Sequence, residues 1–98
     1  MQPMSFDPAA AGIGASVVAN ATHGLAIGTT ASAAVTALAP AGADEVSAQA
    51  ALAFASDGVE ALAVHTFAQE ELARAGAAYV EIAGMYAAVD EATAATLL

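Results

Sequence analysis

The sequence predicts an all-α fold, an antiparallel two-helix hairpin, on three observations. Roughly a third of the chain is alanine, the strongest helix former, so that much of its 59% apolar content reflects helix propensity rather than a large core. Apolar and small residues recur at three- and four-residue steps along two long stretches. Between them, Leu38-Ala39-Pro40-Ala41-Gly42-Ala43-Asp44-Glu45-Val46-Ser47 interrupts the pattern once, near the middle of the 98 residues. A break of about five residues between two helix-prone arms folds the second arm back along the first. The expected elements are a helix over about 8–38, a turn over 39–43 and a helix over about 44–90, in one domain.

The first helix has a start signal in Asp7-Pro8, an N-cap residue followed by proline at the first helical position. Ile13, Val17, Ala21, Leu25 or Gly24, Gly28, Ser32 and Val35 then form one apolar or small face. Gly12, Gly14, Gly24 and Gly28, with Thr22, Thr29, Thr30 and Thr36, lower its intrinsic helix propensity, so tertiary contacts must hold it. Gly24 and Gly28 have the GxxxG spacing, read here as small residues where two soluble helices touch rather than as a membrane dimerisation face. The arm lacks charge from residue 8 to residue 43, but Asn20, His23 and its many small polar residues disfavour a transmembrane span.

At the turn, Pro40 removes a backbone donor and disfavours helix at Ala39, Gly42 supplies a joint, and Asp44 can cap the next helix. The second helix carries a seven-residue repeat, Phe54, Ala61, Ala68, Ala75, Ile82 and Val89, interleaved with Ala51, Gly58, His65, Leu72, Tyr79 and Tyr86. Asp57, Glu60, Glu71, Arg74 and Glu81 cluster on the opposite side. Counting outward from the turn places residue i level with residue 83 minus i. On that register Tyr79, Ile82, Met85, Tyr86 and Val89 run past the start of the first helix, an apolar overhang of about 15 to 25 Å. Such a surface needs cover, and a second protein supplying two helices would complete a four-helix bundle. The expected partner interface is Phe54, Leu62, Leu72, Tyr79, Ile82 and Val89, with Ile13 and Val17 from the first arm.

The formal net charge of −9, with Arg74 the only Lys or Arg, disfavours nucleic-acid and anionic-membrane partners. Without cysteine there is no thiol chemistry, and the N-terminus lacks the positive and apolar regions of a cleavable signal peptide. His23 and His65 have no HxxxH, ExxH or acidic neighbours at ligand spacing, and the register sets His23 near Glu60 instead. The carboxylates form a solvated stripe, the serines lack a nucleophile context, and Arg74, level with the N-terminal end of the first helix on this register, suits a surface ion pair with Glu70 or Glu71. No enzyme activity, cofactor or metal is expected.

Tyr86-Ala87-Ala88-Val89-Asp90 places a tyrosine and a carboxylate four apart, on one helix face. With the hairpin and the interhelical run Ala39 to Ser47, this chain resembles the PE domain of mycobacterial PE proteins. Met4-Ser5-Phe6 is similar to the family's usual opening, although Asp7-Pro8-Ala9 stands where the Pro-Glu pair would be. The runs Asp7-Pro8, His23-Gly24, Pro40 to Ala51 and Arg74-Ala75-Gly76 are most similar to the PE subfamily of the first-described ESX locus, and the resemblance reaches nearly the whole chain with no extension expected beyond the domain. The resemblance implies an obligate heterodimer with a PPE-family protein, exported folded through an ESX (type VII) secretion system. An EspG-type chaperone would grip the PPE subunit, and the export signal YxxxD would fall on Tyr86 and Asp90. The protein would then be secreted or found at the cell surface. A self-assembling homodimeric bundle and an exported protein that associates with membrane or cell envelope are the alternatives.

Overall fold

The computed structural model describes residues 4–97. It contains two helices, α1 (Ala10–Thr36) and α2 (Glu45–Thr96), and no strand among the described residues. Met1, Gln2 and Pro3, at the head of the segment read for a signal peptide, lie outside them.

Asp7 opens α1: its carboxylate accepts from the Ala9 N–H at 2.9 Å and its carbonyl from the Ala10 N–H at 3.0 Å. These tight turns delay regular helix to Ala10, two residues after Pro8. The hydroxyls of Ser16, Thr29, Thr30 and Thr36 donate to carbonyls four residues back, which satisfies polar groups on an uncharged helix. The helix ends at Thr36 rather than about residue 38, and the connection is residues 37–44, longer than the expected 39–43. Asp44 caps α2, accepting from the Ser47 N–H at 2.8 Å and the Ser47 hydroxyl at 3.0 Å. Beyond residue 90 nothing in Glu91-Ala92-Thr93-Ala94-Ala95-Thr96 breaks a helix, and α2 continues to Thr96.

Contacts divide the chain into two units, one comprising residues up to Ala21 with those from Glu71 onward, the other Thr22–Glu70. In the second, a Cβ added at Gly58 would lie 1.9 Å from the Val35 carbonyl oxygen, one at Gly28 would meet the His65 ring at 2.7 Å, and one at Gly24 the Gln69 amide at 2.6 Å. In the first, Gly14 and Gly76 face each other, each 2.8 Å from the other's carbonyl oxygen in the same sense, with Val17, Val18 and Val80 beside them. Each unit has antiparallel helix segments in which residue i is level with about residue 93 minus i.

That register corrects the expected one by about ten residues. The symmetric count assumed that the chain reverses at its midpoint. Instead the connection runs back beside the first turns of α2: Leu38, Ala39 and Ala41 line a hollow with Val46, Ala50 and Phe54, and Thr36, Leu38 and Pro40 line another with Ala48, Leu52 and Ala55. Val35 therefore pairs with Gly58 rather than with the start of α2.

The face of α2 turned toward α1 also differs from the heptad reading. From Gly58 onward the buried or half-buried positions, Thr66 at the edge aside, run Gly58, Leu62, His65, Gln69, Ala73, Gly76, Ala83 and Ala87. They follow the 3.6-residue period of a straight helix. A strict seven-residue repeat slips by about 20° per heptad against that line, so Ala51, Gly58 and His65 begin on the inner face while Leu72, Tyr79 and Tyr86 drift to its flank. The inner seam is built of small residues, and the only buried hydrophobic residues among those described are Ala21 and Ala83.

Candidate partner face and C-terminal motif

The large apolar side chains lie outside the seam. Phe54 is 63% exposed, Ile82 52% and Val89 64%; Leu72, Tyr79 and Ile13 are exposed as well. Leu62 and Val17, expected on the partner face, are half-buried and turn inward: Leu62 borders the space where a Cβ at Gly28 would sit, and Val17 the space where one at Gly76 would. Both serve the hairpin. By length and composition α1 could cross a membrane, a test that core helices of soluble proteins also pass.

On the seam, His65 Nε2 donates to the Gly24 carbonyl at 2.8 Å, a side chain reaching across 41 residues of sequence. The space that accommodates its ring exists because Gly28 has no Cβ. The close backbone approaches fall at Gly14 with Gly76 and at Gly58, whereas Gly24 and Gly28 receive side chains of α2. The 93-minus-i register puts His23 level with Glu70, which corrects the expected approach to Glu60. Arg74 pairs with Glu71 on the exposed side of α2; its level on α1 is near Ala19, well inside the helix rather than at its N-terminal end. No group of three or more metal-ligating side chains occurs among the described residues.

The register also shortens the overhang. Ala10 is level with Ala83, so Tyr79 and Ile82 have the start of α1 beside them and line, with Phe6, Ala10, Ala83 and Tyr86, a hollow of about 270 Å³. Only residues 84–96 pass the end of α1, about 20 Å of helix carrying Met85, Tyr86 and Val89. Tyr86 and Asp90 are both exposed, one turn apart. The Tyr86 ring stacks on Phe6, with centroids 5.4 Å apart and planes 23° apart. Its other flank opens on a hollow shared with Ile82, Met85 and Val89.

At the opposite end, Pro40 and Gly42 lie in the connection, and a Cβ at Gly42 would sit 2.9 Å from the Asp44 carboxylate. The hydrogen bonds from the Ser47 backbone and hydroxyl hold the Asp44 carboxyl below its ordinary range.

Phe6, Gly14 and Gly76 are the positions that sequence periodicity left unassigned to a role. The glycines could have been found by laying small residues on a 3.6-residue line; Phe6 precedes the helix and belongs to no period.

These features define a helical-hairpin protein whose chemistry is an outward apolar face rather than an enclosed site. The chain belongs to the PE family, whose model matches residues 4–93. It is 71% identical over 97 residues to an uncharacterized PE family protein, PE35, of Mycolicibacterium smegmatis, covering 99% of this chain and 100% of that one. It is 52% identical over 94 residues to the PE family immunomodulator PE35 of Mycobacterium tuberculosis, covering 96% of each. No solved structure matches the chain. Neither the family nor these relatives' descriptions name a catalytic activity.

Proposed function

We propose that this chain is a non-enzymatic subunit that pairs with a PPE-family protein and leaves the cell with it through an ESX (type VII) system of the first-described kind, carrying an export signal at Tyr86 and Asp90. An EspG-type chaperone holds the PPE subunit before export, and the pair ends outside the cell or at its surface. The observation that carries this reading is the division of α2 into a small-residue seam and an outer stripe of Phe54, Leu72, Tyr79, Ile82 and Val89 left in water. An apolar stripe of that length calls for helical cover, and two helices from a second protein supply it with four-helix-bundle geometry. A relative described as an immunomodulator suits a protein that leaves the bacterium.

Co-expression with a PPE protein should yield a soluble complex of one copy each, and the reading fails if no such complex forms with any PPE protein of the source organism. Replacing Tyr86 with Ala should leave the pair intact and stop its export; normal secretion of that variant would remove the motif from the account.

A further inference from the structure

We infer that Phe6 is a positioning residue for Tyr86: the segment preceding α1 docks on the far part of α2 and fixes the orientation of the motif's tyrosine. The inference deepens the export reading above and rests on it for its functional half. Helix α1 starts at Ala10, level with Ala83, the last buried residue of α2. Phe6 is level with about residue 87 and carries the contact one turn further along α2. Its approach is fixed by the turn that follows it, where the Asp7 carboxylate takes the Ala9 N–H and the Asp7 carbonyl takes the Ala10 N–H. A tyrosine on a helix has two main χ1 rotamers, both leaning toward the preceding turn. The Phe6 ring, stacked at 5.4 Å, closes one flank of Tyr86 and selects between them. The other flank, over Ile82, Met85 and Val89, stays open. Tyr86 thus has its ring covered by Phe6 on one side, and with Ile82, Met85 and Val89 it borders a hollow left open to a partner.

Tyr79 and Tyr86 are the only tyrosines, so ring-carbon labelling of tyrosine in this chain gives two sets of signals in its folded species, the complex with the helical partner or, if none forms, the folded full-length chain, assigned with Tyr79→Phe. Phe6→Ala should move the Tyr86 ring-proton signals by loss of the neighbouring ring current and affect Tyr79 less. Phe6→Tyr should retain them, and Phe6→Leu, which keeps apolar cover if the alanine variant misfolds, should also lose the ring current. In the secretion assay Phe6→Ala should reduce exported protein at least fivefold with co-purification of the partner unchanged, and Phe6→Tyr should rescue it. Unmoved Tyr86 signals in Phe6→Ala would overturn the inference whatever happens to export. Moved signals with normal secretion would overturn its functional half. Normal secretion of Tyr86→Ala would sink the export reading and that half with it, leaving the stacking itself decided by the ring signals.

Discussion

The two faces of α2 are built from opposite materials. Toward α1 it presents Gly58, Ala73, Gly76 and Ala83, with Leu62, His65 and Gln69 filling the space over the glycines of α1. Outside that seam it leaves Phe54, Leu72, Ile82, Met85 and Val89 exposed. Burial stabilises by about 25 cal/mol per Å² of apolar surface, so a seam of alanine and glycine yields little while the residues able to yield more stay in water. The hairpin is shaped by close approach, and its missing stabilisation lies on the other face. A chain built in this way leaves apolar surface for a partner to cover.

The largest effect should come from the outer face. Replacing Ile82 with Asp puts a charge in the middle of the stripe and should abolish co-purification with the helical partner; an unchanged yield of complex would show that the stripe is not the interface. On the inner face the comparison can be sharpened with alanine alone. Gly58→Ala drives a methyl group to 1.9 Å from the Val35 carbonyl, and should cost about 1–3 kcal/mol or more in the stability of the assembled protein. Gly84, with nothing within 4 Å of an added Cβ, should gain about 0.5–1 kcal/mol from the same change through helix propensity. Thermal denaturation of the two variants side by side tests the seam, and equal shifts would refute it. His65→Ala, which removes the bond to the Gly24 carbonyl, should cost about 1 kcal/mol on the same measurement.

The smallest effect belongs to the cap. Because folding lowers the Asp44 pKa, its contribution is present above the unfolded carboxylate value and is lost as pH falls through the folded one. Asp44→Ala should therefore lower the melting temperature slightly at neutral pH and have no effect once the carboxyl is protonated in both states. A difference that persists at acid pH would contradict the capping role.

Much of the fold was legible because its determinants are local. Asp7-Pro8 and Pro40 to Asp44 are punctuation that acts within a few residues, and they place both helix starts to within two residues. Register is not local. It depends on how the connection lies against α2, and assuming a symmetric reversal displaced the pairing by about ten residues, taking His23 to Glu60 and Arg74 to the end of α1. The heptad failed for a geometric reason: over the four repeats from Gly58 to Tyr86 the slip reaches about 80°, enough to carry Tyr79 and Tyr86 off the seam that Gly58 and His65 occupy. Of the candidate interface, Phe54, Leu72, Tyr79, Ile82, Val89 and Ile13 are surface residues, whereas Leu62 and Val17 were drawn from the inner seam because size alone does not tell the two faces apart. The Phe6–Tyr86 stack joins residues 80 apart in sequence and left no periodic trace.

The central claim, that the outer stripe of α2 needs a different protein to cover it, is tested most directly on the full chain purified alone, by far-UV circular dichroism together with size exclusion and light scattering. The account predicts low helicity or aggregation alone, and recovery of a helical one-to-one complex on co-expression with the partner. A fully helical, discrete homodimer that melts cooperatively without any other protein would contradict it, since a second copy would then cover the stripe.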